Sequence, residues 1–181
     1  MNASVLHLAA LAAVVFQALL FLRAAWHKAH DYGRFYGFVA DYRLLPEALL
    51  GPVSRALIGT ELAIVALLLW PPLAAWGALA ALALLGLYGL VIASALLRGR
   101  TRIECGCGGP AQPLSWLLVA RNLGLMGLAA LAMFTPPALG GLLATSVALL
   151  AGLFAFCLYA IAEQVLANPA PLLARRADPL S

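Results

Sequence analysis

The sequence predicts an all-α polytopic membrane protein, a bundle of about five transmembrane helices with an amphipathic interfacial helix between the first two. Of its 181 residues, 65% are hydrophobic and 10% are charged, whereas a soluble domain is about half apolar and a quarter charged. Five apolar segments approach or exceed the roughly 20 residues that cross a bilayer. Backbone groups in lipid must be hydrogen-bonded internally, and long Ala/Leu runs favour helices over a barrel. We expect a single integral membrane domain over residues 1–166, followed by a short polar tail at 167–181.

The predicted spans are residues 3–22, 54–70, 73–97, 114–134 and 138–166. We interpret the first as a retained span, because its apolar run exceeds the roughly 7–15 residues of a signal-peptide core and no Lys or Arg precedes it. Two Pro-Pro pairs, at 71–72 and 136–137, are predicted to join consecutive spans as tight hairpins, since proline cannot continue a helix.

The connection over residues 23–53 is predicted to contain the interfacial helix. Its aromatic and apolar residues recur at helical spacing: Tyr32, Phe35, Tyr36, Val39 and Tyr42. This pattern indicates an amphipathic helix in the headgroup region, where aromatic rings are favoured. An aromatic belt with no further role is the simplest interpretation of these rings.

The basic residues predict the orientation of the chain. Apart from Arg121 inside the fourth span, they occur between the first and second spans, between the third and fourth, and in the tail, whereas the amino terminus and both Pro-Pro turns have none. Five spans place all three basic regions on one side. Because Lys and Arg mark the cytoplasmic side, we expect a periplasmic amino terminus and a cytoplasmic carboxyl terminus.

Two cysteines separated by one glycine are the strongest sign of chemistry. Cys105 and Cys107 precede the fourth span, and a disulfide closed over Gly106 would depart from the preferred geometry and be readily reduced. Such a bond is what a redox-active pair requires. Cys157 lies alone in the fifth span and is expected to be a small packing residue.

Two other interpretations of the pair remain open. A zinc site with His27 and His30 is conceivable, but zinc loops usually space their cysteines by two to four residues, so we predict no metal. The other alternative is a turn with two inert thiols, which exposure to oxidation at a membrane rim disfavours.

Ionisable residues inside spans are costly and are therefore functional candidates. Glu61 and Arg121 are expected at matching depth, about 9–11 Å into their helices, with Asn122 beside Arg121 and with Arg23 and Lys28 at the same rim. An ion pair between Glu61 and Arg121 would lock the second and fourth spans. A functional role is compatible with this, because a cation near the cysteines favours the thiolate.

The polar residues together resemble a known family. They run Arg23-Ala-Ala-Trp-His-Lys28, then Phe38-Val-Ala-Asp-Tyr-Arg-Leu-Leu-Pro46-Glu47, then Glu61, then Ile103-Glu-Cys-Gly-Cys-Gly-Gly-Pro110, then Gln112-Pro-Leu-Ser-Trp116 leading to Arg121-Asn122. This succession resembles the MauE family of methylamine utilisation proteins, and it extends in register from about Arg23 to Asn122.

The resemblance implies a bacterial inner-membrane protein needed to make the small, beta subunit of methylamine dehydrogenase, a periplasmic polypeptide with many disulfides. The family is thought to act with a thioredoxin-like protein, MauD. Carried over, Cys105 and Cys107 would be the redox pair of a thiol-disulfide oxidoreductase. Arg23, Lys28, Glu61, Arg121 and Asn122 would be supporting positions.

The resemblance and the sequence also lead to expectations about cofactors and partners. We expect no cofactor beyond the redox disulfide, although the rim aromatics would permit a quinone, and no nucleic-acid partner.

The charge rule puts the cysteines on the cytoplasmic side, whereas the client is periplasmic. Either reducing equivalents cross the membrane or the cysteine loop folds into the bundle. The alternative function is a non-catalytic membrane scaffold or small transporter that assists export or assembly of the same subunit.

Overall fold

The computed structural model describes residues 3–100, 114–135 and 141–167, and in these ranges the chain is helical with no strand. Its helices are α1 (Ala3–His30), α2 (Tyr32–Asp41), α3 (Glu47–Leu69), α4 (Ala74–Leu97), α5 (Trp116–Phe134) and α6 (Leu142–Ala167). All except the short α2 are long and apolar enough to cross a membrane. The predicted fold class is therefore confirmed, including the helix between the first two spans.

Two helices extend further than the apolar segments that predicted them. α1 continues from the predicted end at Leu22 to His30, because Arg23 and Lys28 find hydrogen-bonding partners inside the bundle. α3 begins at Glu47, not at residue 54, and includes Pro52. A proline removes one backbone donor there, a loss that a long helix with a packed face tolerates.

α1 is the central helix, and every other helix in the described ranges contacts it. Among the described helices, α4 packs against both α3 and α5, whereas the backbones of α3 and α5 do not approach each other and the backbone of α6 approaches only that of α1. The core between the helices is apolar and includes Phe16, Phe21, Ile64, Leu84 and Leu125. This arrangement decides which polar side chains meet.

The aromatic face of α2 packs against the bundle. Phe35 is buried, and the Tyr32 hydroxyl donates to the Gly51 carbonyl oxygen of α3 at 3.3 Å. The helix begins at an N-cap aspartate, Asp31, whose side chain accepts from the Arg34 backbone N–H at 3.2 Å, as such caps do. The aromatic rings therefore do more than form a belt, because they close one side of the protein.

The first Pro-Pro pair makes the predicted hairpin. α3 ends at Leu69, Pro71–Leu73 form a 3-10 turn, and α4 begins at Ala74. The two helices approach so closely that a Cβ on Gly77 would lie 2.8 Å from the Leu68 backbone nitrogen. The second pair, at 136–137, lies outside the described residues.

Candidate functional site

A group of three polar side chains, two of them buried and one half-buried, joins α1, α3 and α4 and is here called the Lys28 cluster. The Lys28 ammonium donates to Glu61 Oε1 and, at 3.1 Å, to the Tyr88 hydroxyl oxygen. The Tyr88 hydroxyl in turn donates to Glu61 Oε1 at 2.8 Å. The Lys28 and Glu61 side chains are 3% and 0% exposed. The two charges can be buried because they pair with each other and both hydrogen-bond to the Tyr88 hydroxyl.

Aromatic rings complete the surroundings of the ammonium. Lys28 Nζ lies 5.2 Å from the centre of the Phe35 ring and 4.8 Å from that of Tyr88, both within the range of a cation–π interaction. Glu61 Oε2 is buried and has no hydrogen-bond partner in the described part of the chain. The carboxylate is thus held through one oxygen.

The Lys28 cluster lies where α1 is about to end. Lys28 is near the last residue of α1, whereas Glu61 and Tyr88 lie near the middle of α3 and α4. α3 and α4 therefore continue beyond the end of α1, and α2 packs against this extension. α2, which follows α1 in the chain, occupies the space beside α3 beyond the end of α1.

A second polar group, the Glu163 cluster, joins α1, α5 and α6. Glu163 accepts from Arg23 at 3.2 Å, from Arg121 at 2.8 Å and from the Tyr159 hydroxyl at 2.6 Å. The side chains of Arg23 and Arg121 are 20% and 17% exposed. This cluster therefore lies nearer the surface of the bundle than the Lys28 cluster.

The predicted ion pair between Glu61 and Arg121 is wrong. Glu61 pairs with Lys28, and Arg121 pairs with Glu163. The reason is that α1 and α4 separate α3 from α5. Arg23 and Lys28 are five residues apart, or about 140° around a helix, so α1 offers one cation to each side.

The predicted depths also differ from the structure. Glu61 lies fourteen residues after the first residue of α3, about 21 Å along the axis, whereas Arg121 lies only about 7.5 Å into α5. The longer α3 accounts for the difference. Asn122 joins neither cluster, because it is buried and donates to the Leu118 carbonyl oxygen of its own helix at 3.0 Å.

Sequence reasoning missed three members of the clusters: Tyr88, Tyr159 and Glu163. Glu163 lies inside the fifth predicted span, so the rule that singled out Glu61, an ionisable residue in an apolar helix, applies to it equally. The tyrosines carry no such signal, because tyrosine is common at the ends of spans. Gln17, also missed, donates to the Leu125 carbonyl oxygen of α5 at 2.9 Å.

Cys105 and Cys107 lie outside the described residues. The chain that carries them follows α4 and precedes α5, and both flanks lie beside the end of α2. Arg100 donates to the Asp41 carbonyl oxygen at 3.2 Å, and Leu114 packs in a cluster with Tyr42. The cysteine segment therefore connects to the bundle at the end where α2 lies.

The third cysteine and the two histidines considered for a zinc site lie in the described part of the chain. The expectation that Cys157 is a small packing residue is wrong within the described part of the chain, where its side chain is exposed on α6. His27 and His30 are exposed on α1. Within the described ranges, no three His, Cys, Asp or Glu residues are grouped so as to hold a metal ion.

Comparison with known proteins identifies similar chains. A profile of the family described as methylamine utilisation protein MauE matches residues 6–135. The methylamine utilization protein MauE of Paracoccus denitrificans is 43% identical over 149 residues, or 80% of each chain. That of Paracoccus versutus is 44% identical over 159 residues, or 86% of each chain, and that of Methylorubrum extorquens is 42% identical over 112 residues, or 61% of this chain and 60% of the relative. No solved structure matches the chain.

Proposed function

Because the chain belongs to the MauE family of methylamine utilisation proteins, we propose that it matures the beta subunit of methylamine dehydrogenase by thiol-disulfide exchange. Cys105 and Cys107 are the redox pair in this proposal. The protein acts from the bacterial inner membrane, and a thioredoxin-like protein, MauD, is its redox partner.

The main support for this proposal is the position of positive charge. Arg23, Lys28 and Arg121 lie, in two separate clusters, in the half of the bundle from which the cysteine segment leaves. A guanidinium group keeps its charge at any physiological pH. Nearby cations favour the thiolate, which is the nucleophile in disulfide exchange. Cations in that half of the bundle support the proposal that one cysteine of the pair reacts as a thiolate.

The exchange conserves atoms and electrons. One thiolate attacks the client disulfide, so that a mixed disulfide forms as the client S–S bond breaks, and the released client sulfur takes up a proton. The second cysteine then attacks the mixed disulfide, releases the second client thiol and closes the Cys105–Cys107 bond. Two electrons have passed to the client, and the reverse sequence oxidises a client dithiol by the same steps.

The test replaces each cysteine in a methylamine-utilising bacterium. We expect Cys105→Ser and Cys107→Ser each to abolish accumulation of correctly disulfide-bonded beta subunit and growth on methylamine. Cys157→Ser is the matched control, since Cys157 is exposed on α6 and belongs to neither cluster, and it should behave as the wild type. Immunoblots of the membrane fraction show whether each variant is present at its normal level.

The alternative scaffold or transporter makes the opposite prediction. Normal beta subunit in both cysteine variants, with loss in Glu61 and Arg121 variants, would overturn the exchange mechanism and favour a scaffold. In the Cys157→Ser background, an impermeant thiol reagent applied to intact cells also tests the side of the membrane. The charge rule predicts labelling of Cys105 and Cys107 only after the cells are opened.

A further inference from the structure

A cavity of about 270 Å³ lies beside the Lys28 cluster, in the space beyond the end of α1. Its walls come from α2, the first half of α3 and the second half of α4. Almost all of the lining is hydrocarbon, including Phe35, Phe38, Val53 and Val91, and its polar side chains are Lys28, Tyr42 and Tyr88. The cavity is therefore an apolar chamber in which Lys28 and Tyr88 form one polar end.

The Lys28 ammonium is a hydrogen-bond donor at the polar end of the cavity. An ammonium group carries three N–H donors, and Lys28 uses two of them within the described part of the chain, toward Glu61 and Tyr88. Because Lys28 also lines the cavity, the third donor can serve an acceptor held there. Because the Glu61 carboxylate balances the charge of Lys28, this end is neutral as a whole. A neutral acceptor such as a carbonyl oxygen fits it better than an anion, which would meet Glu61.

The shape of the cavity favours a flat ring. Phe35, Phe38, Tyr42 and Tyr88 supply aromatic walls, which pack well against another planar ring. A cavity of about 150 Å³ suffices to hold benzene, so this one accommodates a substituted ring. Leu44 and Leu87, which also line it, are 47% and 49% exposed and mark its mouth at the surface of the bundle. An apolar tail can leave through such a mouth into lipid.

We propose that this cavity binds the ring of a membrane-soluble quinone, with a ring carbonyl accepting a hydrogen bond from Lys28 and the isoprenoid tail extending past Leu44 and Leu87. The inference concerns binding, and it stands independently of the thiol chemistry at Cys105 and Cys107. An anionic lipid is the competing occupant, and its headgroup would have to approach the Glu61 carboxylate.

The experiment uses the full chain in lipid nanodiscs with a photoreactive azido-ubiquinone. We expect labelled peptides from α2 and the second half of α4, and loss of this labelling when ubiquinone-1 is added in excess. Val91→Phe narrows the cavity and should weaken labelling by about tenfold. Val147→Phe is the matched control, because Val147 is 55% exposed on α6, and it should label as the wild type does.

Two further variants keep the proposal open to refutation. Val53→Phe narrows the cavity from α3 and replaces Val91→Phe if that chain does not fold. The double variant Lys28→Met, Glu61→Gln removes the donor without leaving a lone buried charge, and it should also weaken labelling. Competition by oleate but not by ubiquinone-1 would assign the cavity to an anionic lipid. Equal labelling of all variants would mean that the quinone merely dissolves in the bilayer, and either result overturns the proposal.

Discussion

The Lys28 cluster and the Glu163 cluster use similar chemistry on two different faces of α1. In the Lys28 cluster, one cation and one carboxylate are withdrawn from the surface, with side chains 3% and 0% exposed. In the Glu163 cluster, Arg23 and Arg121 share one carboxylate and are 20% and 17% exposed. The same central helix thus supplies a cation to a closed site and to a more open one.

The difference between the clusters lies in what surrounds the charges. Deep burial lowers the effective dielectric constant, so removing one partner of Lys28 and Glu61 leaves a charge whose remaining polar partner in the cluster is the Tyr88 hydroxyl. The Glu163 cluster lies near the ends of α5 and α6, where partly exposed charges can reach headgroups and water and are screened by salt. We therefore expect loss of a charge in the Lys28 cluster to destabilise the fold and the cavity beside it. Loss of a charge in the Glu163 cluster should have a smaller effect that depends on salt.

The largest predicted effect follows from removing the Lys28 ammonium. Lys28→Met leaves Glu61 buried without its cation and should lower the free energy of unfolding by about 3–5 kcal/mol. Thermal unfolding of the purified protein in detergent measures the loss. The double variant Lys28→Met, Glu61→Leu should recover much of it, since well-packed apolar residues replace a buried ion pair at little cost. Wild-type stability of the single variant would contradict the burial of this pair.

An intermediate effect is expected where α6 meets α1. A Cβ on Gly152 would lie 2.6 Å from the Ala12 carbonyl oxygen and 2.8 Å from the Val15 Cβ, so Gly152→Ala must push the helices apart and cost about 1–3 kcal/mol. Gly127→Ala is the control, because nothing lies within 4 Å of its added Cβ and alanine favours helix.

The Gly152 variant also separates the two clusters. α6 carries Glu163, so Gly152→Ala should couple with Arg23→Gln in a double-mutant cycle and add independently to Lys28→Met. Thermal unfolding of the single and double variants supplies the coupling energies. Equal coupling with both cations would show that the clusters are one cooperative unit.

The smallest effect is expected at the open cluster. Arg23→Gln should change the free energy of unfolding by less than about 1 kcal/mol, because Arg23 is partly exposed and Arg121 still donates to Glu163. The difference from the wild type should shrink further as salt is raised. A loss as large as that of Lys28→Met, independent of salt, would show that the two clusters do not differ in dielectric environment.

Much of the fold followed from hydropathy, and little of the pairing did. Long apolar runs predicted the five spans, the spacing of Tyr32, Phe35 and Val39 predicted α2, and the proline pair at 71–72 predicted the hairpin. The same reasoning placed Glu61 opposite Arg121. Depth along a span does not tell which helices are neighbours. It therefore could not show that α1 and α4 lie between α3, which carries Glu61, and α5, which carries Arg121.

The sequence by itself determined that this chain is a helical membrane protein of the MauE family with few charges, because hydropathy and motif spacing are properties of the chain read in order. Only the tertiary structure decided which charges meet, that Glu163 and Tyr88 take part, and that a cavity opens beyond the end of α1. These depend on which helices are neighbours and how they face each other. A buried charge interacts with whatever lies within a few ångströms, whatever its distance along the chain.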